Sequence, residues 1–232
     1  MSNPHALPKY VQTAEMLIRE IASGRLLDGE RLPPEREMAS ELGLSVGTLR
    51  KALEDLETRG LLERRQGSGN YIRTGDAGGV YALFRLELIG GGGLPTAEVL
   101  SVDLLPKPHD APEFGPGPKA HRIRRLRRLG GTPAALEEIW LDGSRAKTIA
   151  KMELSESLYL FYRHTLGFWI ARAEDSISVG PAPEWSAPPF GAAPGATCGY
   201  VERLGRDQDG RAAEFSRTWF DTSVARYVSR LR

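Results

Sequence analysis

Between Tyr10 and Ala22 the apolar residues Tyr10, Ala14, Leu17, Ile18 and Ile21 recur at helical spacing, and Gly24 stands where a C-cap glycine belongs. Pro33-Pro34 opens a second, short helix, Glu35 to Leu42, because a proline in the first turn sacrifices no intrahelical bond. Gly43 ends it. Ser45 is placed to cap a third helix, in which Leu49, Leu53 and Leu56 form an i, i+4, i+7 stripe before Gly60 stops it. Two short strands follow, Leu61 to Arg65 and Asn70 to Arg73, about the turn Gln66-Gly67-Ser68-Gly69. The next stretch, 74–79, has three glycines and no apolar periodicity, as a flexible linker would.

Beyond it the pattern changes from helical to mixed. Apolar-rich strands are expected at Val80–Ile89, Glu98–Leu105, His121–Leu129, Ala134–Leu141, Ile170–Ser178, Thr197–Arg206 and Ala212–Phe220. Helices are expected at Arg145–Lys151 and Ser157–Leu166, and Gly90–Gly93 and Gly180–Gly195 read as loops. Many strands with few helices predict an antiparallel sheet with flanking helices, an α+β domain. The expected organisation is a first, mostly helical domain over 1–73, a linker over 74–79 and a second domain over 80–232.

Composition narrows the function classes. With 31 basic and 30 acidic residues in 232, the chain cannot coat nucleic acid by its bulk field, so DNA binding must come from a local arrangement. Residues 1–75 hold eleven basic and eleven acidic side chains, but 50–73 hold six against four. A reader so weakly charged is easier to understand as a homodimer, which doubles its phosphate contacts. The single cysteine, Cys198, excludes an intramolecular disulfide and a cysteine-rich zinc site. No apolar run approaches membrane-spanning length, and the N-terminus lacks a signal-peptide core. A cytoplasmic protein with no membrane partner is expected.

Helix, tight turn at Gly43, helix and then a hairpin is the spacing of a winged helix-turn-helix. Such a motif reads base edges with the first residues of its second helix. Here those are Ser45, Val46, Gly47, Thr48 and, one turn on, Arg50, with Arg36, Lys51, Arg64 and Arg65 as phosphate-contacting cations. Taken together, Leu32-Pro33-Pro34-Glu35-Arg36-Glu37-Met38-Ala39, Leu42-Gly43-Leu44-Ser45, Thr48-Leu49-Arg50-Lys51-Ala52-Leu53 and Gly60 to Gly69 resemble the DNA-binding domain of GntR-family bacterial transcriptional regulators. The resemblance implies that Arg36, Arg50 and Gly67 contact DNA. Two departures stand out. The family usually carries arginine after the capping Ser or Thr, and this chain has Val46, which offers a thymine methyl contact instead. Pro34 stands where a capping serine is common.

In the second domain, strand alternation places Arg122, Arg124, Leu126 and Arg128 on a mostly solvent-like face, and Ile123, Arg125, Arg127 and Leu129 on the other. Two inward arginines need carboxylates or a bound anion. Glu137, on the next strand with Ala135, Ile139 and Leu141, offers an internal ion pair, and a ligand carboxylate or phosphate is the alternative. Ser157 and Tyr159 open the helix that follows. Later Glu214, Ser216 and Thr218 share one strand face, with Phe215 and Trp219 on the other. In this order the blocks resemble the UTRA effector-binding domain of the HutC-like branch of GntR regulators. The resemblance implies a chorismate lyase-like fold with a small-molecule pocket to which Arg125, Arg127, Glu137, Ser157, Tyr159 and Glu214 correspond. Phe220 replaces a tyrosine often found there.

Nothing in the chain has the spacing of a catalytic site. His5, His109, His121 and His164 are scattered, there is no Gly-x-Ser-x-Gly elbow, and Gly90–Gly93 lacks the Lys-Ser/Thr of a phosphate loop. Neither an enzyme, a cofactor nor a metal is expected. The reading is a homodimeric repressor on an inverted-repeat DNA operator, controlled by a small anionic effector that also carries hydroxyl or amino groups. Imidazole acids, sugar phosphates and phosphonates all fit that description. A ligand-free dimerisation domain remains the alternative.

Overall fold

The computed structural model describes residues 8–22, 25–73, 85–91, 95–154, 157–186 and 188–229. The expected C-cap at Gly24, the linker 74–79 and positions 80–84 of the first expected strand lie outside them. By contacts the chain divides into two compact units, one carrying 8–73 and the other beginning at Leu86.

In the first unit three helices and a hairpin form in the expected order: α1 (Lys9–Ala22), α2 (Glu35–Glu41), α3 (Val46–Thr58), β1 (Leu62–Arg65) and β2 (Gly69–Ile72). The predicted stripes become its core. Ala14, Leu17, Ile18 and Ile21 of α1 meet Leu49, Leu53 and Leu56 of α3, with Leu61, Leu62 and Ile72 closing the far side. Each leucine and isoleucine there contributes roughly 1.5–3 kcal/mol by leaving water. Gly43, at φ 63°, makes the turn between α2 and α3 in a backbone region that L side chains rarely adopt.

The second unit is built on a six-stranded antiparallel sheet in the order β4-β5-β6-β9-β8-β7. Its strands are β4 (Pro95–Pro106), β5 (Lys119–Leu129), β6 (Thr132–Asp142), β7 (Ile170–Pro181), β8 (Thr197–Asp207) and β9 (Ala212–Phe220). A separate pair joins β3 (Leu86–Leu88) to β10 (Ala225–Tyr227), a strand absent from the expected set. β5 and β6 form a hairpin through Gly130-Gly131, both at positive φ, which matches the right-handed twist of the strands it joins.

Two helical expectations change. Arg145–Lys151 is no helix but an extended run between two short 3-10 turns, Gly143–Arg145 and Lys151–Glu153. Tertiary partners hold this run instead: His121 Nε2 bonds the Ala146 carbonyl, which a helix would use, at 2.8 Å, and the Arg145 side chain pairs with Asp207. Ser157–Leu166 divides into α4 (Leu158–Phe161) and a π turn (Tyr162–Leu166).

Both sheet faces are covered. Leu126, expected on a mostly solvent-like face, is buried with Leu136, Trp219, Phe190 and Cys198 beneath the segment that joins β7 to β8. Arg122 and Arg124 on that face are half-buried, paired with Asp103 and Glu138, and lie over the rings of Trp140 and Trp185. The alternation along β5 holds, and the face is buried because the β7–β8 segment folds over it, a placement that its proline- and glycine-rich sequence does not encode locally.

Candidate functional site

Each unit carries a candidate surface. In the first, Ser45 caps α3, its Oγ accepting from the Thr48 amide at 3.1 Å and lying 2.8 Å from the Thr48 hydroxyl. Val46 packs partly against the core, so Gly47 is the exposed residue of that first turn. Arg36, Arg50, Lys51, Arg65 and Gly67 are exposed. Arg50 Nε donates to Glu35 Oε2 at 2.6 Å, and that hydrogen bond is the main reason the Glu35 carboxyl sits below its ordinary value. Glu35 also accepts from Asn70 of β2 at 3.5 Å. Arg64 braces the wing against the helix, meeting Glu57 at 3.0 Å and the Arg50 carbonyl at 3.4 Å. Arg65 is bonded to Glu63 and lies over the Tyr71 ring. The arrangement presents a polar helix start flanked by cations, with the wing fixed to it.

In the second unit the chemistry lies on one face of the sheet. Strand register sets Arg125 beside Glu137, then Thr218 and Val201. The neighbouring row runs Ile123, Ile139, Ser216, Arg203 and Asp175. Glu137 receives both predicted arginines: Arg125 Nη2 at 2.6 Å, and Arg127 through Nε and Nη2 at 3.1–3.2 Å. Of the two alternatives for these arginines, the internal ion pair is present. Burial pushes the Glu137 carboxyl up, but Arg125 and Arg127 outweigh it and hold the group below its ordinary value.

Glu214 is different. Its carboxylate accepts from Tyr162 at 2.6 Å and from Tyr159 at 3.3 Å, and burial raises its pKa. Tyr159 and Tyr162 reach it together because residues three apart share a helix face. Ser157 Oγ accepts from the Leu160 amide at 3.4 Å and caps α4. Phe220 is buried with its ring directly over Gly199, where a Cβ would come within 2.2 Å of it. The face thus carries a dipole: two arginines sharing one carboxylate, and a second carboxylate held by two phenols.

Sequence reading missed Tyr162, Arg203, Asp175 and Tyr227. Arg203 was within reach of the test that found Arg125, since it alternates with Val201 and Gly205 on the inward side. Among the described residues no three His, Cys, Asp or Glu gather as a metal site, and Cys198 is buried with its thiol pushed up by burial.

Comparison with known proteins decides the family. Residues 9–72 match the gntR family of bacterial regulatory proteins, and 91–226 match the UTRA domain. The chain belongs to the GntR family, in its HutC branch. This GntR regulator is 61% identical over 98% of its length to the HTH-type transcriptional regulator SmoD of Agrobacterium fabrum, covering 97% of that protein. It is 29% identical to the mannosyl-D-glycerate transport/metabolism system repressor MngR of Escherichia coli, over 95% of both chains. In structure it resembles the possible transcriptional regulator YydK of Bacillus subtilis, with a TM-score of 0.55 over 97% of this chain and all of that one. At 23% identity that likeness concerns the fold alone. The GntR regulator is a transcription factor rather than an enzyme, and no helix among its described residues is long and apolar enough to cross a membrane.

A pH experiment separates the two buried carboxylates. Because burial raises the pKa of Glu214, the native state binds that proton more tightly than the unfolded chain does. Its contribution is full below the ordinary value of 4.5 and declines as pH rises through the raised folded value. Glu214→Gln is therefore expected to melt above the parent at pH 7–8, with the difference closing towards pH 4, as followed by circular dichroism at each pH. A gap independent of pH would show that ionisation at Glu214 costs the fold nothing.

Proposed function

We infer that this GntR regulator is a homodimeric repressor whose hold on an inverted-repeat operator is set by a small anionic effector bound on the Glu137–Glu214 face. The observation that carries this is the dipolar array itself. Arg125 and Arg127 bring two guanidinium groups to one carboxylate, a set of donors suited to an anion. Glu214, with Tyr159 and Tyr162, supplies acceptors and hydroxyls at the other end, suited to ligand hydroxyl or amino groups. Burial makes both ends selective, since a ligand lacking either partner would leave a polar group unmatched. The E. coli relative represses a mannosyl-D-glycerate transport/metabolism system, and mannosyl-D-glycerate is itself a carboxylate bearing sugar hydroxyls.

In the DNA-reading unit Arg50, Arg36, Lys51, Arg65 and the wing tip at Gly67 contact the operator, with Arg64 holding the wing in place. The capped start of α3, Ser45 to Thr48, meets the base edges. Effector binding and operator binding are then linked by a coupling free energy, and a change in the spacing of two winged domains lowers affinity for half-sites at fixed helical separation. The protein acts in the cytoplasm, with no cofactor.

A thermal-shift panel tests the effector class, using mannosyl-D-glycerate, hexose 6-phosphates, an aminoalkylphosphonate, an imidazole acid and neutral sugars as controls. At a hundred times its Kd a true ligand stabilises by about 2.7 kcal/mol, and Arg125→Ala abolishes the shift. Stabilisation by neutral sugars alone would reject the anionic reading. If no compound shifts a protein that sediments as a dimer and binds DNA, the second domain serves dimerisation only.

A further inference from the structure

The polar array does not stop at Glu214. Tyr159 bonds Glu214 at 3.3 Å, and while burial raises the pKa of its hydroxyl, the Arg203 charge beside it opposes that rise. Arg203 in turn grips Asp175 of the edge strand β7 with two parallel bonds, Nε to Oδ1 at 2.5 Å and Nη2 to Oδ2 at 2.6 Å. The same Asp175 Oδ2 accepts from the hydroxyl of Tyr227. Tyr227 ends β10, whose partner strand is β3, with Tyr227 opposite Leu86, Arg226 opposite Glu87 and Ala225 opposite Leu88. The Val228 amide continues this pairing to the Arg85 carbonyl at 2.8 Å. The chain passes from one compact unit to the other just before Leu86.

We propose that Arg203, Asp175 and Tyr227 are positioning residues that tie the hydroxyl of Tyr159 to the β3·β10 pair, the first described structure of the effector domain after the linker. This rests on the reading of Glu214 and Tyr159 as part of the effector site. The chemistry lies in what one phenol can do: it has a single proton to donate and lone pairs to accept with. Tyr159 donates to Glu214, and its oxygen meets the Arg203 charge. A ligand hydroxyl or ammonium that takes its place on Glu214 turns the phenol, and Arg203 loses that contact. Both hydrogen bonds described for Arg203 go to Asp175, so its shift is delivered to the carboxylate that also holds Tyr227. All three links involve a charged group and are partly buried, which makes the chain stiff. Tyr227 connects it to a strand pair only three residues long, where each added side-chain bond counts.

Hydrogen–deuterium exchange on the two-domain protein tests the link without an effector or an operator. Tyr159→Phe and Tyr227→Phe are each expected to speed exchange of the amides in 85–88 and 225–228 about fivefold, the effect of one lost hydrogen bond. The double variant should be no faster than the faster single one, because both cut the same chain. Protection of the central strand β6 serves as the control. Where Tyr159→Phe lowers β6 protection too, Asp175→Asn replaces it, with the same non-additivity against Tyr227→Phe expected. Unchanged β3·β10 exchange in the pocket-end variant, or effects that multiply in the double variant, would overturn the proposal. A failed ligand panel leaves this result standing, so the two readings fall separately.

Discussion

Glu137→Gln is expected to lower the melting temperature of this regulator by about 10 °C at neutral pH. The carboxylate is almost fully buried and is the shared partner of Arg125 and Arg127, all three lying within hydrogen-bonding distance. Removing one member of a buried ion pair typically costs about 3–5 kcal/mol, chiefly because the surviving charge has no compensation. Each kilocalorie is worth about 2–4 °C in a chain of this size. The pH dependence has the opposite sign to that of Glu214. Because the arginines hold Glu137 below its ordinary 4.5, its stabilisation is present above that value and is lost as pH falls through the depressed folded value. The parent and the variant should therefore converge in acid, as read by thermal melts across pH. Inorganic phosphate should restore part of the loss at neutral pH, because an anion can then take the place of the missing carboxylate between the two guanidinium groups. A variant that melts with the parent at neutral pH would mean that water already reaches the arginines and that the pair is not the buried cluster described above.

Arg50→Ala is expected to weaken operator binding about tenfold to a hundredfold, the range of about 1–3 kcal/mol for a base-reading side chain. Its melting temperature should hardly move, since the Arg50–Glu35 pair is exposed and such pairs contribute little to stability. The operator can be recovered by selection from a random DNA pool with the parent protein, and affinities then compared by fluorescence anisotropy at fixed salt. Arg125→Ala gives the reciprocal outcome: operator affinity is retained and the effector response is lost. If both substitutions damaged both activities equally in folded protein, the division of labour between the units would be wrong. The Glu35 bond also shapes the expectation. In the free protein Arg50 is pre-oriented on α3 by a carboxylate from α2, and DNA must compete with that carboxylate for the guanidinium.

The two surfaces were legible in the sequence to different degrees. The winged unit was almost wholly so, because capping at Ser45, the stripe Leu49-Leu53-Leu56 and the turn at Gly43 are local signals, each acting within a few residues. In the second unit alternation sufficed to turn Arg125 and Arg127 inward and to set Glu137 against them, since β5 and β6 form one hairpin. The strand order β6-β9-β8-β7 has no such local signature, so the approach of Arg203 and Asp175 to Tyr159 was hidden. β10 was missed because three residues are too few to show a period. The Arg145–Lys151 helix failed for a related reason: its backbone and side chains are claimed by His121 and Asp207, which are distant in sequence.

The π turn Tyr162–Leu166 bears on how the gene for such a regulator can change. It follows directly on α4 and ends at Gly167, after which Phe168 stacks on Tyr162 with ring centroids 5.0 Å apart. A π turn holds one residue more than an α turn, so the loss of a single codon there converts one into the other. The helix can absorb the change while β7 keeps its register, which its pairing with β8 specifies, and Asp175 keeps its face. Small insertions and deletions can thus retune the aromatic wall beside Glu214 across generations while the Asp175–Arg203 grip is inherited intact.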